Sequence, residues 1–137
     1  MFKAVWSIGR DGFEKIESLR RAAGISDACD STDAYAGHVY VCEETGEPIA
    51  AGRMYPDGDA LIIDRIAVMP QYDAMPYAEL VLRMLLFKAQ ELPQNDIRII
   101  CDESRFALVR RFGFAQSDAH TFICSRNAIV WDSECRH

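Results

Sequence analysis

The sequence predicts a single domain of the α/β or α+β class, with a mixed sheet covered by helices on both faces. Its 137 residues suit one sizeable core, and 50% hydrophobic with 26% charged residues is the composition of an ordinary soluble protein. The hydrophobic period changes along the chain. Strands joined by tight turns come first, and strands alternating with helices follow. Ligands of such sheets bind where strands part, beside a loop that enters a helix, which points to residues 66–78.

The first half of the chain is rich in strands. Alternating or continuous apolar runs predict them at residues 2–8, 38–44, 49–55 and 60–69. After the first strand, residues 11–24 carry apolar side chains at helical spacing and end at a glycine, which predicts a helix. Residues 25–35 are polar and acidic and predict a loop. The stretches "TGEP" and "PDGD" predict the turns of two hairpins.

Strands and helices alternate in the second half. Residues 76–92 are apolar on most faces, which predicts a largely buried helix. An apolar strand is predicted over 96–101 and a short helix over 104–113, which ends at a glycine. Residues 121–132 supply the last strand, in one or two pieces. The predicted order is therefore β-α-β-β-β-α-β-α-β.

Charge and hydropathy argue against several classes of function. The formal net charge of -6 disfavours nucleic acid and anionic membrane surfaces as partners, because both require a basic face. No apolar run reaches the roughly 18 residues that span a bilayer, and the N-terminal segment lacks a signal-peptide pattern, so a cytoplasmic protein is expected. The five cysteines and three histidines show no metal-ligand spacing, which favours free thiols and no metal site. Cys101, at the end of a strand, is expected to be a buried thiol and not a nucleophile.

Three stretches together resemble a known family. The first follows the pattern D…D…H-x-V-x…G-x-P-x-A-x-G-R, with Asp30, Asp33, His38, Val39, Val41, Gly46, Pro48, Ala50 or Ala51, Gly52 and Arg53. The second is "AAGRMYPDGDALIIDRIAVMP" and the third is "ALVRRFGF". Over residues 11–114 the chain resembles the GCN5-related N-acetyltransferases, and within them a small bacterial branch.

The resemblance implies a mostly antiparallel sheet whose central strands splay apart like a V. It also implies an enzyme that uses acetyl-CoA as co-substrate and an amine of a small molecule or protein as acceptor. In that family the pantetheine arm pairs with the strand equivalent to Ile62–Val68, and the next loop and helix start hold the pyrophosphate. The cofactor contacts implied in this chain are Ile66, Ala67, Val68, Ala74, Met75, Tyr77 and Ala78. The family often forms dimers, so a homodimer is also an expectation.

The phosphate loop departs from the family pattern at three positions. Aligned from Val68, the pattern V-x-P-x-Y-R-G-x-G-x-[GA] places Asp73 at its arginine, Ala74 and Pro76 at its glycines and Ala78 at its last small residue. An alternative register that starts from Gln71 keeps a glutamine but still has Ala74 and Pro76 where glycines belong. An anion about 4 Å from a pyrophosphate could cost several kcal/mol at a surface-like dielectric. Pro76 offers no N–H donor, and the methyl group of Ala74 hinders close backbone approach. Alternatively, Asp73 is the N-cap of the following helix, with Pro76 in the first turn.

Two further positions bear on catalysis. The general-acid tyrosine of the family falls on Val109, which cannot donate a proton. Asp64 is the candidate general base, and strand alternation places it on the same face as Ile66 and Val68. The alternative is that Asp64 pairs with Arg53.

Two hypotheses follow for function. The first is an N-acetyltransferase in which the amine attacks the thioester directly. The second is a catalytically inactive binding or regulatory module that has lost acetyl-CoA binding. Asp73 distinguishes them, because a helix cap favours the second and an aspartate turned to solvent favours the first. Nearby, Arg53 and Arg65 are expected to face Asp30 and Asp33 in a polar network that supports the site.

Overall fold

The computed structural model describes residues 2–10, 12–74 and 76–131. The strands are β1 (Phe2–Ile8), β2 (Gly37–Glu43), β3 (Pro48–Asp57), β4 (Ala60–Val68), β5 (Asp96–Ile100), β6 (Ala115–Gln116) and β7 (Thr121–Ser125). The α-helices are α1 (Phe13–Ala22), α2 (Tyr77–Ala89) and α3 (Phe106–Arg111). Short 3₁₀ turns cover Ser31–Ala34, Pro70–Tyr72, Glu103–Arg105 and Arg126–Ala128.

The described strands form one sheet in the order β1-β2-β3-β4-β5-β7-β6. Every neighbouring pair is antiparallel except β4 and β5, which are parallel. Helix α1 packs on one face of the sheet, hereafter the α1 face, and α2 and α3 pack on the other, the α2 face. The predicted class, a mixed and mostly antiparallel sheet with helices on both faces, is confirmed. None of the helices in the described ranges has the length and apolar character needed to cross a bilayer.

The two faces carry cores of different size. On the α2 face, strand residues such as Ile63 and Ile99 are fully buried against Leu82 and Leu85 of α2. On the α1 face, three of the four apolar residues predicted at helical spacing, Phe13, Ile16 and Leu19, pack on the small strand residues Ala51 and Ala67. The fourth, Ala22, is exposed. The smaller core leaves part of the α1 face free of any helix over β5 and β7.

The predicted elements differ from the observed ones mainly at their ends. The segment predicted as one helix over 104–113 is a 3₁₀ turn followed by α3. The loop over 25–35 contains the 3₁₀ turn Ser31–Ala34. The prediction of strand over 121–132 is wrong beyond Ser125, because the chain enters another 3₁₀ turn there, and residue 132 lies outside the described residues. The short strand β6 was not predicted, because two exposed residues carry no periodic signal.

A bulge interrupts the pairing of β3 with β4. Ala51 pairs with Ala67, but Arg53 pairs with Asp64, so β4 carries one extra residue there. Arg65 occupies the bulge with φ of 54°, the only positive φ of a non-glycine residue in the described chain. A left-handed conformation is unfavourable for such a side chain, so the surrounding contacts must hold it.

The bulge breaks the alternation of side chains along β4. Asp64 and Arg65 both point toward the α1 face. Asp64 accepts a hydrogen bond from Arg53, which also donates to Asp30, and Arg65 donates to Asp30 directly. Ile66 and Val68 pack on the α2 face. The prediction that Asp64 shares a face with Ile66 and Val68 is therefore wrong, because simple alternation does not anticipate an extra residue.

Gly52, opposite the bulge, allows α2 to lie close to the sheet. A Cβ atom at this position would lie 2.7 Å from Cγ1 of Val81 and 2.8 Å from Cδ1 of Leu85. Both side chains are fully buried, so they have little room to move. We expect Gly52→Ala to lower the free energy of unfolding by about 1–3 kcal/mol, measured by urea denaturation. Adding Val81→Ala should make the loss smaller than the sum of the single changes, whereas additive losses would contradict this contact.

Candidate functional site

Strands β4 and β5 part in the middle of the sheet. Their parallel pairing runs from Ala60↔Asp96 to Ile63↔Ile99 and then stops. Two cavities, of about 310 and 220 Å³, lie beyond that point and form what we call the β4–β5 cleft. The inner cavity is lined by Ile25, Asp64, Arg65, Ile66, Ile100, Cys101, Asp102 and Arg105. The loop-side cavity is lined by Ala23, Ile25, Ile66, Ala67, Val68, Pro70, Asp73, Asp102, Ser104 and Arg105.

The cleft contains part of the predicted cofactor set. Ile66, Ala67 and Val68 line it. Ala74 is exposed and lines neither cavity, and Tyr77 and Ala78 are buried in the core at the start of α2. Met75 lies outside the described residues. The predicted strand segment therefore reaches the cleft, but the side chains at the helix start do not.

Asp73 does not occupy the N-cap position of α2. The helix begins at Tyr77, and its N-cap is Pro76, whose side chain accepts no hydrogen bond. The carboxylate of Asp73 instead accepts a hydrogen bond from Nη2 of Arg105, at 3.0 Å. The N-cap interpretation is therefore wrong, because Pro76 holds the N-cap position and Asp73 lies four positions before the first helical residue. Asp73 is 54% exposed, but it is paired across the cleft and not simply turned to solvent.

The loop-side cavity has an unfavourable charge balance for a pyrophosphate. Its lining carries two carboxylates, Asp73 and Asp102, and one guanidinium, Arg105. Asp102 also caps the 3₁₀ turn that follows it, because its Oδ1 accepts a hydrogen bond from the backbone N–H of Ser104. The residues present therefore suit the pantetheine arm of acetyl-CoA along β4 better than they suit its phosphates.

A buried ionic network lies beside the cleft on the α1 face. Arg53 is 2% exposed, and it donates to both carboxylate oxygens of Asp64 at 2.8 Å, to Asp30 at 2.7 Å and to Asp33 at 3.1 Å. Arg20 donates to Asp33 at 3.0 Å. The predicted polar network around Arg53 is thus present, and Arg20 of α1, which was not predicted to belong to it, is a further member.

The network also reaches the bulge. Arg65 donates to Oδ2 of Asp30 at 2.8 Å and to Oδ2 of Asp27 at 3.2 Å. The same carboxylate of Asp30 therefore contacts both Arg53 and Arg65. These contacts hold the loop after α1 against β4 and supply a reason for the positive φ at the bulge.

Asp64 joins the network to the cleft. Its side chain is 14% exposed, and each oxygen accepts one hydrogen bond from Arg53. The pairing that was the alternative to a base role is therefore present. An ionised carboxylate offers about four acceptor sites, so two remain for a group in the inner cavity.

The low pKa of Asp30 makes the stability of the folded chain depend on pH. Burial alone would raise this pKa, but hydrogen bonds from Arg53 and Arg65 outweigh burial and lower it from 3.8 to about 2. A carboxyl group whose pKa is depressed on folding stabilises the protein above its unfolded pKa, and this contribution is lost as the pH falls through the folded pKa. We expect the free energy of unfolding of the wild type to fall toward that of Asp30→Asn between about pH 4 and pH 2. A difference that stays constant over this range would contradict the coupling.

Two residues of the cleft region bear on proton transfer. Val109, at the position of the family tyrosine, is fully buried in the core and offers no donor. Cys101 lines the inner cavity, and burial raises the pKa of its thiol to about 11. The side chain is half-buried, where a buried thiol was predicted, and the thiol is protonated at neutral pH.

A larger cavity, of about 640 Å³, lies between α1 and the β2–β3 turn. It is bordered by Glu14, Lys15, Glu43 and Glu47, and Tyr72 donates to Glu43 at 2.7 Å. Its lining has three glutamates and one lysine, so it is poorly suited to a phosphate-bearing ligand. The parted strands therefore mark the better candidate site despite their smaller volume.

The residues missed by sequence reasoning come from the loops on both sides of the cleft. They are Ala23, Ile25, Asp102 and Ser104. Among the described residues, no group of three histidine, cysteine or acidic side chains is arranged to hold a metal ion.

Comparisons with known proteins agree with this architecture. The family model described as the acetyltransferase (GNAT) family matches residues 4–114. A Staphylococcus aureus protein described as a probable acetyltransferase has 24% identity, with 86% of this chain and 92% of that chain covered and a TM-score of 0.72. An acyl-CoA N-acyltransferase from Pseudomonas aeruginosa has 12% identity, 90% and 97% coverage and a TM-score of 0.77.

The ribosomal-protein-S18-alanine N-acetyltransferase of Escherichia coli has 12% identity, 90% coverage of both chains and a TM-score of 0.67. At these identities the solved structures share the fold alone with this chain. No curated protein matches the sequence significantly. The match of the family model over most of the chain, on a sheet that parts between β4 and β5, shows that this chain belongs to the GNAT family of acetyltransferases.

Proposed function

We propose that this chain is an N-acyltransferase that transfers an acetyl group from acetyl-CoA to an amine by direct attack. The observation that carries the proposal is the free edge of β4. Since pairing with β5 ends at Ile63, the backbone of residues 64–68 keeps hydrogen-bonding groups that face the cleft. An extended ligand with amide groups, such as a pantetheine arm, can take the place of the missing strand.

The donor, when bound, would supply a thioester at the inner cavity. In this proposal Ile66 and Val68 hold the pantetheine arm through their backbone, with Ala67 between them. Asp64 accepts a proton from the acceptor ammonium, directly or through water, so that the free amine can attack the thioester carbonyl. The new C–N bond forms and the C–S bond breaks. Since Val109 has no acidic proton, the departing thiolate takes a proton from water, and the hydroxide that remains takes the second proton from the nitrogen as the amide forms.

The acceptor would approach from the open part of the α1 face. A cavity of about 300 Å³ lies there, over β3, β4, β5 and β7, and Ile100 borders both this cavity and the inner cavity of the cleft. Its lining includes Tyr55, Asp57 and Asp118 together with one cation, Arg98, so two carboxylates and an aromatic ring are available to a cationic amine. Asp64 lies on the same face, which is where a base for that amine is needed.

A second candidate function is a binding or regulatory module without catalysis. The observation that favours it is the loop-side cavity, where Asp73 and Asp102 face the region that a pyrophosphate would occupy. In this case the β4–β5 cleft would hold a different extended ligand. The two candidates differ in whether the chain binds acetyl-CoA at all.

Calorimetric titration with acetyl-CoA, followed by a screen of amine acceptors read by mass spectrometry, tests the proposal. We expect micromolar binding and an acetylated amine product. Ile25→Trp should abolish binding, because Ile25 borders both cavities of the cleft. Ile8→Trp is the matched control, since Ile8 is 76% exposed on the edge strand β1.

The outcomes separate the candidates. Binding that is lost in Ile25→Trp and kept in Ile8→Trp supports the transferase. Absence of acetyl-CoA binding by a folded wild-type chain favours the module. Equal binding by both variants would place the ligand outside the β4–β5 cleft.

A further inference from the structure

We propose that Arg105 is the cation that binds the pyrophosphate of the donor, and that Asp73 competes with the donor for it. This inference rests on the proposed function. It assigns the phosphate-binding role to the turn after β5, on the opposite side of the cleft from the β4–α2 loop. The ion pair between Arg105 and Asp73 would thereby lower the affinity of the chain for acetyl-CoA.

The position of Arg105 supports this role. It ends the 3₁₀ turn Glu103–Arg105, borders both cavities of the cleft and is 18% exposed. Its Nη2 lies 3.0 Å from Oδ1 of Asp73, so the guanidinium already reaches the β4–α2 loop. A group bound between Val68 and Asp73 would lie within its range.

The β4–α2 loop itself supplies little for a pyrophosphate. Asp73 stands at the cationic position of the family pattern, and Pro76 has no N–H to donate. Among the residues that line the loop-side cavity, Arg105 is the only cation. A guanidinium has five N–H donors in a planar fork that matches phosphate oxygens, and only one contact to Asp73 occupies them in the described chain.

The ion pair is weak enough to exchange. Asp73 is more than half exposed, and ion pairs with an exposed partner contribute little to stability. A pyrophosphate offers more negative charge and more acceptor oxygens than one carboxylate does. We therefore expect the pyrophosphate to displace Asp73 from Arg105, at a cost in affinity that a neutral residue at position 73 would remove.

Two donors that differ only beyond the pantetheine arm test this inference. Acetyl-CoA carries the pyrophosphate, and S-acetylpantetheine does not. Arg105→Ala should weaken acetyl-CoA binding by about 10- to 100-fold, the usual range for hydrogen bonds to charged groups, and leave S-acetylpantetheine binding unchanged. Asp73→Asn should tighten acetyl-CoA binding by about three- to tenfold, with no effect on S-acetylpantetheine.

Arg110→Ala is the matched control, because Arg110 lies on α3, donates to Gln116 and borders neither cavity of the cleft. It removes the same charge and should leave both affinities unchanged. In the Asp73→Asn, Arg105→Ala double variant the gain from Asp73→Asn should shrink, because the two residues are coupled.

Each outcome decides the inference. Wild-type binding of acetyl-CoA with equal affinity in Arg105→Ala would overturn the inference and leave the proposed function standing. Equal weakening of both donors in Arg105→Ala would also overturn it, since the effect would not depend on the pyrophosphate. Failure of the wild type and every variant to bind either donor would overturn the proposed function together with the inference.

Discussion

Asp33→Ala is expected to lower the free energy of unfolding by about 3–5 kcal/mol, because it removes one partner from a buried set of charges. Asp33 is fully buried and accepts hydrogen bonds from Arg20, Arg53 and the backbone N–H of Asp30. Without it, the one hydrogen bond left to the Arg20 side chain among the described residues would be to the carbonyl of Ala28, in a fully buried position. Urea denaturation followed by circular dichroism measures the loss.

The control for this prediction is Asp27→Ala. Asp27 also accepts an ionic hydrogen bond, from Arg65, but it is 64% exposed. Its removal should cost less than about 1 kcal/mol, because exposed ion pairs contribute little. A loss at Asp33 as small as that at Asp27 would show that the buried network does not hold the loop after α1 in place.

Asp64→Asn is expected to lower kcat by about 10²- to 10⁴-fold with an amine acceptor identified by the screen, the usual contribution of general base catalysis. An amide keeps the shape of the side chain but cannot take a proton from the acceptor. The profile of kcat against pH should lose the limb that reports the ionisation of the base. Asp64→Glu, which keeps a carboxylate, should retain part of the rate that Asp64→Asn loses.

The control must separate proton transfer from the support that Asp64 gives to Arg53. Asp30→Asn serves this purpose, because Asp30 also pairs with Arg53, at 2.7 Å, but borders neither cavity of the cleft. Asp30→Asn should lower the free energy of unfolding and leave the shape of the profile of kcat against pH unchanged. Similar rate losses in both variants with unchanged pH profiles would show that Asp64 acts only by positioning Arg53.

Much of the fold was predictable, because it depends on hydrophobic periodicity. The apolar stripe of α1, the hairpin turns and the apolar helix α2 each have a local signal, and together they predict a mixed sheet with two covered faces. The family resemblance, carried by the pattern D…D…H-x-V-x…G-x-P-x-A-x-G-R and by "AAGRMYPDGDALIIDRIAVMP", added the parting of β4 from β5, which no local pattern contains.

The errors at the site came from geometry that is set by other parts of the chain. An aspartate shortly before a helix resembles an N-cap, but the partner of Asp73 is Arg105, 32 residues away. Alternation misplaced Asp64 because the bulge at Arg65 is held by Asp27 and Asp30 in a distant loop. The buried position of Arg20 could not be predicted, since an arginine on an amphipathic helix is ordinarily exposed.

The bulge in β4 also determines where the chain can change in length. Deleting Arg65 would remove the extra residue and restore simple alternation, and Ile66, Ala67 and Val68 would keep the faces that they now occupy. The loss would be confined to the contacts of Arg65 with Asp27 and Asp30. Inserting one residue directly after Arg65 would instead turn every later side chain of β4 to the opposite face, so that Ile66 and Val68 would point toward α1. The sheet should therefore tolerate a one-residue deletion at the bulge and exclude a one-residue insertion beyond it.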